Sequence, residues 1–153
     1  ERHKKSQQQK LIQYNTIKRY PIVGVDLDIE EYVNINDVKK LINRLDKDFG
    51  KDFIISMAPV SYALQSNSSG MGNFSYKTLY NSPEGQRINY FNGQFYGDYN
   101  YDAYKSVIDN GYPPNKVTMG MLSGDIQSQN FTQICNTVKN LSSTYHNLWL
   151  NLT

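Results

Sequence analysis

Ile22-Val23-Gly24-Val25-Asp26-Leu27-Asp28-Ile29-Glu30, entered through Pro21, is the stretch whose reading decides the fold. Its β-branched content marks a strand. Alternation along a strand sends Val25, Leu27 and Ile29 to one face and Gly24, Asp26, Asp28 and Glu30 to the other. Three acids thus share one side, successive members roughly 6.6 Å apart. Partial exclusion of water makes their ionised forms disfavour one another, so at least one is expected to hold a proton near neutral pH. Such a group is prepared to act as a general acid. The plain alternative is a strand whose polar face meets open solvent. The apolar neighbouring strands, each followed by a helix, suit a sheet covered on its faces, where an acid row points at a site.

Outward from this strand the apolar spacing alternates between strand and helix periods, the pattern of a β/α protein with a parallel sheet. Upstream, residues 6–19 read as helical, with Leu11, Tyr14 and Ile17 on a thin apolar face. Downstream, Val38, Leu41, Ile42, Leu45 and Phe49 fall at helical spacing, with Asn36 as the expected N-cap and Gly50 as the stop. Phe53 to Pro59 is the next strand. The polar stretch from Val60 to Gln86 exceeds an ordinary connection and is expected to be a functional loop. Strand character returns at 89–96, a helix spans about 101–110 before Gly111, and a further strand runs from Lys116 to Leu122. Phe131, Ile134, Cys135, Val138 and Leu141 mark another amphipathic helix, and 147–152 reads as a strand. That makes about five strands, whereas a closed (β/α)8 barrel has eight.

Composition narrows the function. A chain of 153 residues, 39% hydrophobic and 20% charged, suits a single domain or a piece of one. The net charge of +2, with basic residues scattered apart from Arg2-His3-Lys4-Lys5, gives no electrostatic footprint for nucleic acid. No apolar run approaches the roughly 20 residues of a membrane span. The single Cys135 excludes an internal disulfide framework and is expected to be a small buried hydrophobe. Two distant histidines support no metal site, and no cofactor is expected. Asn-x-Ser/Thr sequons at Asn67, Asn73, Asn130, Asn140 and Asn151 lean toward a secreted, extracellular setting. The chain starts at Glu1 without a Met or a signal-type stretch, so its true start is expected to lie upstream.

Two metal readings compete for the acids. A calcium loop requires a turn glycine where Glu31 stands, and aliphatic residues occupy the intervening positions. Asp26-Leu27-Asp28 also matches the short Asp-x-Asp element of metal-dependent glycosyltransferases, in which Asp26 and Asp28 would hold the ion.

At these residues the chain resembles glycoside hydrolase family 18, the chitinases and endo-β-N-acetylglucosaminidases, whose fourth barrel strand reads Asp-Gly-x-Asp-x-Asp-x-Glu. Here that signature stands as Val23-Gly24-Val25-Asp26-Leu27-Asp28-Ile29-Glu30, with Val23 in place of the first acid. Ser56-Met57-Ala58-Pro59 is similar to the family's strand 5, Gln94-Phe95-Tyr96 to strand 6 and Lys116 to Met121 to strand 7. Trp149 falls in the last strand, where the family places a tryptophan beneath the sugar. Gly97 departs from the usual Asn or Asp, and Asp98 follows it.

The resemblance implies a TIM-type (β/α)8 barrel, of which this chain is the part from the helix before strand 4 to strand 8. It further implies chitinase-like, substrate-assisted retaining hydrolysis of β-1,4-linked N-acetylglucosamine polymers, with chitin or its oligosaccharides as partner. In that scheme Glu30 is the acid, Asp28 holds the acetamido N–H, Asp26 shares a proton with Asp28, and Tyr96 aligns the acetamido oxygen. Gln94, Met57 and Trp149 would line the substrate site. Each has a packing alternative: Met57 as barrel filling, Trp149 in the core, Gln94 satisfying a buried polar neighbour and Tyr96 as one of 13 tyrosines. A non-catalytic chito-oligosaccharide-binding protein is the remaining alternative.

Overall fold

A computed structural model describes residues 14–124 and 131–145, together with the backbone of residues 149–152. Five strands run in chain order: β1 Gly24–Leu27, β2 Ile54–Met57, β3 Tyr90–Gln94, β4 Val117–Met121 and β5 Trp149–Leu152. They form one sheet in the order β1-β2-β3-β4-β5, and every neighbouring pair is parallel. Sequential strands joined by helical connections and laid side by side are the arrangement from which a β/α barrel is built.

The helices follow the apolar periodicity. Helix α1, Ile35–Phe49, buries Val38, Ile42 and Leu45 and stops at Gly50, as its spacing predicts. Its cap is Asn34 rather than Asn36: the Asn34 side chain accepts the Asn36 N–H at 2.9 Å, so the helix starts earlier than expected. The stretch from Val60 to Gln86 is not a structureless loop. It holds α2 (Tyr62–Gln65), α3 (Tyr76–Tyr80) and a 3₁₀ turn at Gly85–Arg87. These pieces are too short to leave a helical period in the sequence, which is why polarity alone misread them. Helix α4, Tyr101–Asp109, is capped by Asn100, which accepts the Ala103 N–H at 2.8 Å.

Helix α5, Phe131–Thr144, buries Ile134, Thr137 and Leu141. Cys135 is exposed, contrary to the expectation of burial. The buried stripe runs through position 137, where the Thr137 hydroxyl donates to the Tyr99 carbonyl at 3.1 Å, and this turns Cys135 and the 62% exposed Phe131 toward solvent. Upstream, residues 14–19 are helical, and Tyr14 packs its ring on Phe49 at 5.9 Å. The core lies between the helices and one face of the sheet, where Ile55, Met57, Phe91, Phe95, Val117 and Met119 are fully buried.

Strand β1 is shorter than the sequence suggests. Its last ladder bond is Ala58 N–H to the Leu27 carbonyl at 3.1 Å. Asp28, Ile29 and Glu30 therefore continue past the pairing, at the C-terminal edge of the sheet. Gly24 is needed at the other end: a Cβ there would stand 2.6 Å from the Ile54 Cβ and carbonyl oxygen.

Candidate active site

The sheet face opposite the core carries a set of polar side chains in register. Gly24 to Leu27 pair with Ile54 to Met57, which sets Asp26 beside Ser56, and Asn92 pairs with Thr118. The Ser56 hydroxyl donates to Asp26 Oδ1 at 2.8 Å. Reaching across β2, the Asn92 amide approaches Asp26 Oδ2 at 3.5 Å, and the Thr118 hydroxyl donates to Asn92 Oδ1 at 3.1 Å. Four strands are thus tied together through one carboxylate. Ser56, Asn92 and Thr118 are all buried, so each hydroxyl or amide in this ladder would carry a desolvation cost if its partner were removed.

One pleat further along, the pattern repeats. Gln94 Nε2 donates to the Ala58 carbonyl at 2.6 Å and to Asp28 Oδ1 at 3.3 Å, again linking β3 to the end of β1. Behind this layer stands Tyr76 of α3, 1% exposed and tilted against the Phe74 ring at 4.7 Å. Burial pushes its hydroxyl well above the usual tyrosine range, and the charges of Asp28 and Asp26 push it further in the same direction. Tyr76 is therefore a neutral hydroxyl beside the acids.

The expected site residues fall into three groups. Asp26, Asp28 and Gln94 share the polar face and are joined by the bonds above. Glu30 and Tyr96 lie just beyond the ends of β1 and β3; Glu30 is exposed and forms no hydrogen bond or ion pair among the described residues, and Tyr96 is 40% exposed. Met57 stands apart: it alternates with Ser56 and is fully buried in the core, on the opposite face from the carboxylates. Its place is packing. The backbone of Trp149 pairs with Thr118, and its side chain lies outside the described residues.

The carboxylates are more open than the sequence suggests: Asp26, Asp28 and Glu30 are all exposed, while Ser56, Asn92 and Thr118 on the same face are buried. Val23, which replaces the first acid of the motif, is 72% exposed. Gly97 has φ +74, in the left-handed region that Asn and Asp also enter more readily than other residues, so the backbone there is one the usual family residues would tolerate. Asp98 is taken up by the Asn100 side chain at the start of α4.

Sequence reasoning missed Asn92 and Tyr76, and named Ser56 and Thr118 only as parts of motifs. For the three strand residues a signal existed: Ser56 and Thr118 are each the lone polar residue of an apolar strand, Asn92 alternates with Gln94, and all three stand at the parity that parallel register aligns with Asp26. Tyr76 left no such trace.

No protein-family model and no curated protein matches the chain. Solved structures do. A fungal endo-β-N-acetylglucosaminidase from glycosyl hydrolase family 18 superposes with a TM-score of 0.81 at 31% identity, over 92% of this chain and 51% of its own. The chitinase ChiC from Aspergillus fumigatus gives a TM-score of 0.81 at 28% identity, over 91% of this chain and 52% of its own. The chain thus spans about half the length of these proteins. Parallel strands in barrel order, the four ordered motifs and these superpositions agree: the chain is a glycoside hydrolase family 18-like portion of a (β/α)8 barrel.

Proposed function

We propose that the protein is a glycoside hydrolase that cleaves β-1,4-linked N-acetylglucosamine chains with retention of configuration, using the substrate's own acetamido group as nucleophile. The observation that carries the reading is the double cross-strand linkage of Asp26 to Ser56 and Asn92 and of Asp28 to Gln94, at the C-terminal edge where β/α barrels keep their catalytic groups.

Glu30, one pleat beyond Asp28, protonates the leaving glycosidic oxygen and then activates water. Asp28 accepts the acetamido N–H and stabilises the positive charge that develops on the ring formed by internal attack. Asp26, held at both oxygens, keeps Asp28 oriented and exchanges a proton with it. Tyr96 donates its hydroxyl to the acetamido carbonyl oxygen and aligns it, and an aligned intramolecular nucleophile gains a large effective concentration. Gln94 steadies Asp28, while Trp149 offers its ring to a sugar face.

Hydrolysis of an N-acetylglucosamine oligomer by the full-length protein tests this. Glu30→Gln is expected to lower kcat by about 10²–10⁴-fold, the usual contribution of a general acid. Equal cleavage by the two forms would remove Glu30 from the mechanism.

A further inference from the structure

Asp26 and Asp28 are not held alike. Both oxygens of Asp26 are engaged, one by the Ser56 hydroxyl at 2.8 Å and the other by the Asn92 amide at 3.5 Å. Asp28 takes only Gln94, on Oδ1 at 3.3 Å, and its Oδ2 accepts nothing among the described residues. A carboxylate left free to turn loses rotational entropy each time it meets a substrate, so the second oxygen calls for a donor.

Tyr76 is placed to supply it. Its ring is locked from several sides: Phe74 lies against it at 4.7 Å, Phe91 meets it edge-on at 6.4 Å, and a Cβ on Gly70 would stand 2.7 Å from its Cε2. The loop that delivers the ring is fastened to the chain that leaves the acids. Val33 N–H donates to the Gly72 carbonyl at 3.1 Å, and a Cβ on Gly72 would stand 2.7 Å from the Ile29 Cγ2. Ile29 follows Asp28 directly in the chain, so ring and carboxylate are set relative to each other before any substrate binds.

The hydroxyl itself is unused. Among the described residues the only side-chain nitrogen or oxygen both sealed from solvent and unpartnered is the Tyr112 hydroxyl. The Tyr76 hydroxyl makes no hydrogen bond among these residues either, so it keeps an opening through which a water can touch it, although the residue is 1% exposed. The charged groups that reach it are Asp28 foremost and Asp26 after it, with Tyr62 of α2 as the remaining titratable neighbour. Burial and the two acids keep it protonated, and hence a donor, far above neutral pH.

We propose that Tyr76 is a positioning residue of the acid site, its hydroxyl holding Asp28 Oδ2 through one bridging water. A carboxylate oxygen has more than one lone pair, so the water and the acetamido N–H of the substrate share Oδ2. Such a bridge is enthalpically close to a direct hydrogen bond and orients Asp28 without touching the sugar. Donation also favours the ionised carboxylate, so the Asp26–Asp28 pair keeps its charge to lower pH than it would without the hydroxyl. The inference rests on the hydrolase reading of the acid site.

Tyr76→Phe in the full-length protein keeps the ring and removes the hydroxyl. With an N-acetylglucosamine oligomer, kcat is expected to fall about tenfold and the acid limb of its pH profile to move up by about one pH unit. The urea midpoint is expected to match the parent's, since no hydrogen bond within the protein is lost. A kcat equal to the parent's, or a lower one with the acid limb unmoved, overturns the proposal. Carbon-13 NMR of the aspartate carboxyls, with Asp28 assigned from Asp28→Asn, reads the same link without catalysis: the Asp28 midpoint rises in Tyr76→Phe, and an unchanged midpoint overturns the link. A parent protein that cleaves no such oligomer while this midpoint still rises removes the hydrolase reading and leaves Tyr76 as the support of Asp28.

Discussion

Asn92 sits 9% exposed between a carboxylate and a hydroxyl, and its amide serves both: the nitrogen faces Asp26 and the oxygen accepts from Thr118. A carboxamide donates at one end and accepts at the other, so no apolar residue of similar size replaces it. Asn92→Leu is expected to cost about 1 kcal/mol of folding stability, because the buried Thr118 hydroxyl keeps only its longer contact to the Phe91 carbonyl at 3.4 Å. The same change is expected to lower kcat more than it raises KM, since Asp26 loses a support rather than the substrate a contact. Urea unfolding and steady-state kinetics of the full-length variant measure the two effects. Wild-type values in both would show that the ladder does not position Asp26.

Among the elements, α1 and the entries to β2 and β3 are fastened at one point. Arg87, in the turn before β3, pairs with Asp46 of α1 and donates to the carbonyls of Gly50 at 3.1 Å and Phe53 at 2.5 Å and to Asn89 Oδ1 at 2.9 Å. Lys51 reaches the other oxygen of Asp46 at 2.5 Å. Hydrogen bonds from Lys51 and Arg87 hold the Asp46 carboxyl below its ordinary value. A carboxyl depressed in the folded state contributes stability above its unfolded pKa and loses it as pH falls through the folded one. The urea midpoint is therefore expected to drop below about pH 4, where unfolded carboxylates begin to protonate. Arg87→Met is expected to lower the urea midpoint at neutral pH through the lost charged hydrogen bonds, and to reduce the acid dependence to the part that Lys51 maintains. A variant as acid-sensitive as the parent would place that dependence elsewhere.

At the scale of the whole molecule, the sheet ends at β1 and β5 among the described residues, and its polar face is open. Beside β1, Ile22, Val23 and Ile54 are 38%, 72% and 38% exposed. Unpaired strand edges flanked by apolar side chains are templates for association. The 153-residue chain on its own is expected to self-associate with rising concentration and to melt without a sharp transition, as followed by sedimentation velocity and calorimetry. A monomer with a cooperative melt would mean that these edges are protected in a way the sheet does not reveal.

Much of this protein was legible in its residues. The period-2 acids of 24–30, the 3.6-residue stripe through Val38, Ile42 and Leu45, and the order of the strand motifs are local patterns, and local patterns are what backbone geometry writes into sequence. That is why the parallel β/α order and the shared face of Asp26 and Asp28 could be read directly. Other features depended on groups far apart in the chain. Thr137 bonds the Tyr99 carbonyl and turns Cys135 outward, and Asn92 meets Asp26 across 66 positions. Met57, next to Ser56, faces the core because parallel register fixes which parity looks at the helices. Such choices are made by register and burial, which exist only once strands lie side by side, and so only the tertiary structure decided them.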